Sequence, residues 1–282
     1  MNFKIIKSYA KINLSLGVTG KIKSGYHTIE SLVSFLTLYD EIKIRKIRNK
    51  DHKIQFIGKF SKGINKHNTV SNLLKILDKN NLLNNQKYFI KIKKNIPQKS
   101  GLGGGSMNAS SLIRFFKSKK ILNFSKIKIE NLTKPIGSDV KLGLNYKSKI
   151  LYSNGKIKTS SIKKRLFVII IKPNFGCSTK EVYKRVKKYS SKKVKNEKVD
   201  YFSFSNILKL QNDLESVVFK NYPKLSQVKS FMEHLPNILF ARMTGSGSSI
   251  LGYFLTKNSA IYAAKIFKKK YKNYWCITSK TI

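Results

Sequence analysis

Negative charge is scarce in this chain of 282 residues: 13 aspartates and glutamates stand against 58 lysines and arginines, a formal net charge of +45. Cysteine is nearly absent too, and the two thiols, Cys177 and Cys276, lie far apart in sequence. They build no disulfide scaffold, and four histidines (His27, His52, His67, His234) that never pair at ligand spacing do not support a zinc site. No apolar run reaches the roughly 18 residues of a membrane span. The longest, Leu166 to Ile171, reads as a buried strand. The start shows no charged leader followed by an apolar core and a small-residue cleavage site. A soluble, cytoplasmic protein with no membrane partner is expected.

Arginine is the other shortage, with six among the 58 basic residues. Base and phosphate recognition favours arginine forks in a clustered patch. Here lysines are spread along the chain among many asparagines and isoleucines, the pattern of AT-rich coding. No nucleic-acid partner is expected. The reading kept from that class, a basic nucleic-acid-binding protein, requires tight RNA or DNA binding with steep salt dependence and no ATP turnover. The densest lysine run, Lys187 to Lys195, reads as a solvated surface loop. The remaining charge favours anionic substrates at low ionic strength.

Glycine is concentrated where it has chemical use. Gly101, Gly103, Gly104 and Gly105 fall within five positions, between a strand at Tyr88 to Lys94 and a helix carrying Ala109, Leu112, Ile113 and Phe116 at i, i+3, i+4 and i+7. Without Cβ atoms, consecutive N–H groups can turn toward one anion at the positive end of a helix that begins near Ser106. The segment is not a Walker loop, because no Gly-Lys-Ser/Thr closes it. The dinucleotide spacing GxGxxG does not fit either. A nucleotide polyphosphate is the natural ligand, and a plain turn is the alternative.

Before that segment, strands are expected at 3–9, 12–18, 32–38, 41–47 and 53–57, and a helix on Val70, Leu73, Leu74 and Leu77. A further helix is expected between Ile127 and Leu132. The polar, turn-rich stretch from Leu151 to Lys164 is the expected domain junction, dividing the chain into 1–155 and 156–282. Ser178 to Glu181 forms a capping box that starts a helix. The end reads as strands at 238–243 and 249–255, a helix on Ala260, Ala264, Phe267 and Tyr271, and a strand at 275–278, an α+β layer.

Three further constellations carry chemistry. Lys11 and Asn13 project from one face of a strand, and Gly25-Tyr26-His27 follows with two rings after a turn, a suitable clamp for a base. An alternating surface strand gives the same spacing for the lysine, and a tyrosine-histidine pair is as often structural. Asp139 follows Gly137-Ser138 and would stay ionised near a lysine, able to accept a hydroxyl proton, or it caps a helix. Thr244 to Ser249 is a small-residue loop whose N–H groups either close over phosphates or form a hairpin turn.

Taken in order, the glycine loop, the aspartate after Gly-Ser and the loop Thr244-Gly245-Ser246-Gly247 resemble the GHMP kinases, the family of galactokinase, homoserine kinase and mevalonate kinase. Ala10-Lys11-Ile12-Asn13-Leu14 with Gly25-Tyr26-His27 looks like the branch of that family active in non-mevalonate isoprenoid synthesis. The resemblance continues through Asn68-Thr69-Val70, 173–179 and Asn212-Asp213-Leu214-Glu215. It implies an α+β, two-domain fold: a mixed β/α ATP-binding domain over 1–155, an α+β sandwich domain over 156–282, and an active site in the cleft between them. It also implies ATP-dependent phosphorylation of the 2-hydroxyl of 4-diphosphocytidyl-2-C-methyl-D-erythritol, giving the 2-phosphate and ADP. ATP and Mg²⁺ are the implied cofactors, a cytidine diphosphate conjugate of methylerythritol the implied partner, and a monomer or homodimer the implied assembly.

The resemblance also implies roles. Lys11 and Asp139 are the catalytic pair. Asn68, Lys94, Pro97, Gly101, Leu102, Gly103, Gly104, Gly105, Ser106 and Met107 bind ATP, with Ser106 near magnesium. Asn13, Tyr26, His27, Thr179, Gly245 and Ser246 bind the acceptor substrate. The chain departs from the family in a basic turn at Tyr152 to Lys156, where many members are acidic, in a compressed segment before Asp139, and in Cys177, where a small aliphatic residue is expected. A homoserine or mevalonate kinase is the alternative within the family, and the Gly25-Tyr26-His27 clamp, suited to a nucleobase, argues against it.

Overall fold

A computed structural model of the chain describes residues 2–23, 25–122, 126–160, 162, 165–194 and 198–282. Ser24, Lys195 and residues 161, 163 and 164 of the expected junction lie outside the described residues. The chain divides into two compact units, each discontinuous in sequence. One comprises Met1–Lys11, Leu38–Gln98 and Gly103–Tyr146; the other comprises Ile12–Thr37, Lys99–Leu102 and Lys147–Ile282. Strands β1 (Lys4–Lys21) and β2 (His27–Ile47) pair with each other and contribute to both units. Each is one long strand where the sequence pattern suggests two. The polar residues that interrupt the alternation, Lys11 and Asp40, are buried and ion-paired and mark no turn.

In the first unit, the end of β2 runs antiparallel to β4 (Lys87–Lys93), from Glu41 opposite Lys93 to Ile47 opposite Lys87; β3 (Lys53–Ile57) lies parallel to β4 on its other side. Helices α1 (Thr69–Lys79) and α2 (Gly104–Ser118) cover this sheet. Val70, Leu73, Leu74 and Leu77 of α1 and Ala109, Leu112, Ile113 and Phe116 of α2 share one apolar cluster with Ile42, Ile44, Ile90 and Ile92. The 3.6-residue period of the helices and the two-residue period of the strands meet in that cluster. A short α3 (Lys126–Thr133) and a 3-10 turn (Val140–Leu144) complete the unit, and Gly143 lies against Ser110 of α2, with no room for a side chain.

The second unit holds the start of β2 against β5 (Ser148–Leu151), which forms a hairpin with β6 (Ile157–Ser160). The basic turn between them closes through Tyr152 N–H to Lys156 O, with Gly155 at φ +82°. A second, fully antiparallel sheet has β7 (Phe167–Lys172) between β9 (Ile250–Phe254) and β10 (Trp275–Lys280), with β8 (Phe240–Met243) beyond β9. Among the described residues its helices are α4 (Thr179–Lys184), α5 (Phe204–Lys209), α6 (Leu214–Asn221), α7 (Pro223–Glu233) and α8 (Lys257–Lys270). Ser178 caps α4 by accepting Glu181 N–H at 3.4 Å, the serine half of the expected capping box. Helices α5 to α7 fall where the sequence reading assigns no element. Leu214 and Val218, then Leu225, Val228 and Met232, pack with Phe267 and Ile169 in one apolar cluster. Among the described residues no helix is long and apolar enough to cross a membrane.

Candidate active site

In the first unit, β1 delivers Lys11 and the 3-10 turn delivers Asp139. Lys11 Nζ lies 2.9 Å from Asp139 Oδ2, the lysine side chain 5% exposed and the aspartate 35%. Asp139 occupies the N-cap position of its 3-10 turn, yet its side chain makes no capping hydrogen bond there. The ammonium is therefore held behind the carboxylate, and the carboxylate reaches solvent.

The glycine segment runs beside this pair. Gly103, at φ +67°, is the N-cap of α2 and offers no side-chain cap. A Cβ on Gly103 would lie 3.2 Å from Lys11 Cε, so the loop backbone rests on the lysine stem. Met107 N–H, bonded to Gly103 O at 2.9 Å, is the first helical donor to find its acceptor. The N–H groups of Gly104, Gly105 and Ser106 thus have no intrahelical partner and present the positive end of a 15-residue helix. Ser106 lies against Gly137, two residues before Asp139, its Oγ 3.5 Å from where a Cβ on Gly137 would lie. Leu102 and Met107 are fully buried, so any contact they offer a nucleotide is through the backbone.

Two neighbours of the loop differ from their expected settings. Lys94 is buried and ion-paired with the fully buried Asp40, whose other oxygen accepts Asn95 N–H and Ile96 N–H at 2.8 and 2.9 Å. Its Nζ still lies 3.3 Å from the space a Cβ on Gly104 would take. The Asn68 side chain is engaged in capping α1: it accepts Val70 N–H and Ser71 N–H, and donates to Asn65 O and Lys66 O. Its neighbour Thr69 donates to Gly105 O at 2.8 Å, tying the start of α1 to the glycine segment. Asp40 and Thr69 escape sequence reasoning. The rarity of acid in the chain was the available signal for Asp40.

In the second unit, Asn13 N–H donates to Thr244 Oγ1 at 2.9 Å, and its Nδ2 donates to Ser31 Oγ at 2.8 Å. Thr244 to Ser249 lies against the opening of the glycine segment: Ser249 N–H donates to Ser100 O at 3.2 Å. A Cβ on Gly101, at φ +76°, would lie 2.0 Å from Thr244 O, which forbids any side chain. Asn212 Nδ2 donates to both Met243 O and Gly245 O at 2.8 Å, and Glu215 Oε1 accepts Met243 N–H at 2.7 Å. Burial pushes the Glu215 carboxyl above its ordinary pKa, against the lowering effect of that N–H and of Lys229 and Arg242. Ser246 and Thr179, far apart in sequence, meet through their hydroxyls at 2.8 Å. Cys177 packs against Gly247, and burial pushes its thiol up to about 11.

The two expected aromatic residues part company. Tyr26 is 77% exposed at the β1–β2 turn, whereas the His27 ring packs against Tyr183 of α4, centroids 5.3 Å apart at 36°, and against Tyr189 at 6.1 Å. Burial, helped by the Lys21 ammonium, lowers the His27 pKa. Neither tyrosine is found by sequence reasoning, since each stands more than 150 positions from His27 with no periodic link to it.

The model for the GHMP kinases N terminal domain matches residues 68–145, and that for the GHMP kinases C terminal matches residues 199–273. The chain is 51% identical over 282 residues to the 4-diphosphocytidyl-2-C-methyl-D-erythritol kinase of Pelagibacter ubique, covering all of both sequences. It is 31% identical to the enzyme of that name from Clostridioides difficile, over 99% of this chain and 96% of that one. Among solved structures it is similar to a crystal structure of 4-(cytidine 5'-diphospho)-2C-methyl-D-erythritol kinase, with TM-score 0.78 and 20% identity over 98% of this chain and 99% of that one. A homoserine kinase from Cytophaga hutchinsonii follows the same fold, with TM-score 0.63 and 15% identity over 99% and 94%. The chain belongs to the GHMP kinases, in the branch formed with the 4-diphosphocytidyl-2-C-methyl-D-erythritol kinases.

Proposed function

We propose that this ATP-dependent kinase phosphorylates the 2-hydroxyl of 4-diphosphocytidyl-2-C-methyl-D-erythritol, with Asp139 as general base and Lys11 as its cationic partner. The observation that carries the assignment of roles is the 2.9 Å contact between Lys11 Nζ and Asp139 Oδ2, with the carboxylate exposed and free of a capping bond. The carboxylate accepts the proton of the attacking hydroxyl. The ammonium holds the carboxylate in position and stabilises charge that develops on the reacting oxygens.

The first N–H groups of α2 receive the phosphates of ATP, whose transfer needs alignment and neutralisation of spreading negative charge more than covalent help. Lys94 adds a cation at Gly104, while Asn68 acts by fixing the start of α1 and, through Thr69, the loop. Among the described residues no group of three acidic, histidine or cysteine side chains could hold a metal. A magnesium ion carried on the nucleotide needs one or two protein oxygens, of which Ser106 Oγ would supply one, and when bound it would neutralise phosphate charge. Asn13, Thr179, Gly245 and Ser246 line the acceptor side, and His27 with Tyr183 meets the cytosine.

The test is direct. Purified protein with ATP, Mg²⁺ and the cytidyl conjugate should release ADP and yield a 2-phosphate seen by phosphorus NMR. Asp139→Asn should lower kcat by at least about 10², the scale of a lost general base, with the ATP affinity held. Preference for homoserine or mevalonate overturns the substrate assignment, and wild-type turnover in Asp139→Asn overturns the mechanism.

A further inference from the structure

The lysine-rich run is a surface loop, as its sequence suggests, yet it is anchored at three of its residues. Ser190 N–H donates to Val18 O at 2.8 Å. Lys193 N–H and Val194 N–H donate to the two carboxylate oxygens of Glu30 at 2.7 and 3.2 Å. Glu30 is 3% exposed, and none of the chemistry above uses it. Its side chain runs over Gly17, where a Cβ would come within 3.0 Å of Glu30 Cγ. The space left beside it, about 10 Å³, takes no more than one water molecule. A buried carboxylate that accepts two main-chain N–H groups by charge-assisted bonds fixes the path of that backbone. The segment 187–194 is a surface strap, mostly exposed but anchored at Ser190, Lys193 and Val194.

What the strap presents is Tyr189, immediately before the bond from Ser190. Its ring is 47% exposed and stands 6.1 Å from the His27 ring at 57°. Tyr183 meets the same imidazole from α4. An imidazole in contact with two phenol rings, one of them half-exposed and next to the anchored Ser190, offers an aromatic surface to solvent. Such a face takes a flat, uncharged ring by stacking, and a pyrimidine base has one.

We propose that Tyr189 is a further wall of the nucleobase site, and that Glu30 is the positioning residue that holds this wall against His27 through the strap; the proposal rests on the cytidyl-kinase reading above. Glu30 touches no substrate in this account, and its effect passes through the backbone at 190–194. The proposal therefore requires the two residues to share one kinetic signature.

Steady-state kinetics with the cytidyl conjugate and ATP varied separately test it. Tyr189→Ala should raise KM for the cytidyl conjugate about tenfold, the scale of one lost aromatic–base stack. Its kcat and its KM for ATP should stay within about twofold of wild type, the pattern of lost uniform binding. Tyr189→Phe, which keeps the ring, should restore KM. Glu30→Ala should show the same split, and the double variant should be no worse than the poorer single one, because the two act in series. If Glu30→Ala does not fold, Glu30→Gln, which keeps one acceptor oxygen, replaces it, and the Tyr189 variants decide the wall independently. An unchanged cytidyl KM in Tyr189→Ala overturns the proposal while leaving the kinase reading intact. Equal losses in kcat and in both KM values in the Glu30 variant overturn its positioning role. Wild-type protein that does not phosphorylate the cytidyl conjugate overturns both readings.

Discussion

Replacing Gly103 by alanine probes the seating of Lys11 without touching its charge. Gly103 sits at φ +67°, where an L-residue costs about 1–2 kcal/mol. Its new Cβ would lie 3.2 Å from Lys11 Cε and 3.3 Å from Lys11 Cβ, closer than ordinary van der Waals contact. Lys11 is buried and its backbone is fixed in β1, so the side chain must give by a few tenths of an ångström. That displacement falls on the ammonium 2.9 Å from Asp139. A misplacement of about 1 Å costs on the order of 10² in rate, so a shift of this size should lower kcat by about tenfold. The backbone cost alone should lower the melting midpoint by about 2–6 °C for a protein of this size. Gly63→Ala separates the two effects, because Gly63 has φ +79° with nothing within 4 Å of an added Cβ. It should lose similar stability and keep its turnover. Coupled ADP release gives kcat, and circular dichroism gives the melt. Gly103→Ala with the stability loss of Gly63→Ala and wild-type kcat would falsify the claim that the loop seats the lysine.

Other perturbations have equally definite outcomes. Lys94→Ala strands the fully buried Asp40 carboxylate and should cost about 3–5 kcal/mol in urea unfolding, part of which Asp40→Asn in the same chain restores; a single variant as stable as wild type refutes the pair's role. Both thiols are pushed up to about 11 by burial, so native protein at pH 8 should resist thiol reagents and label twice on unfolding. The unfolded thiols lose their protons first, so this contribution to stability falls as pH rises from 9.0 toward 11. His27, lowered by burial and by Lys21, should titrate below 6.5 by proton NMR, and Lys21→Ala should move the midpoint up. For this group the unfolded state binds more protons, so its share of stability is lost as pH falls through 6.5.

Backbone-driven features were legible before any coordinates. The apolar positions of α1 and α2 are the residues that reach the core, and the glycine cluster opens a helix. Pairings across long sequence distance were legible only through family resemblance: nothing in the spacing of Lys11 and Asp139, 128 positions apart, says that they touch. Composition misleads at two strand positions. Lys11 and Asp40 look like breaks in strands because a lone charged residue gives no sign of its distant partner. The run from Lys187 is the surface loop its composition suggests, but nothing in its pattern shows that Glu30, more than 150 residues earlier, holds its backbone. Helices α6 and α7 are short, cut by Pro223, and owe their stability to the sheet they cover, so their local pattern is weak.

Scarcity of acid turns the placement of each carboxylate into information. Asp40 accepts two main-chain N–H groups and pairs with Lys94; Glu30 accepts Lys193 N–H and Val194 N–H; Asp213 accepts Val18 N–H; Glu215 accepts Met243 N–H. Each is a clamp on backbone, and taking up a proton there would weaken bonds the fold depends on. Asp139 differs from all four. Its bond runs to a lysine side chain, it stands at a cap position without capping, and a third of it meets solvent. Protonating it during a turnover leaves the backbone bonds of the 3-10 turn in place. The general-base role proposed for Asp139 therefore asks nothing of the fold, and the same role at any of the other four would.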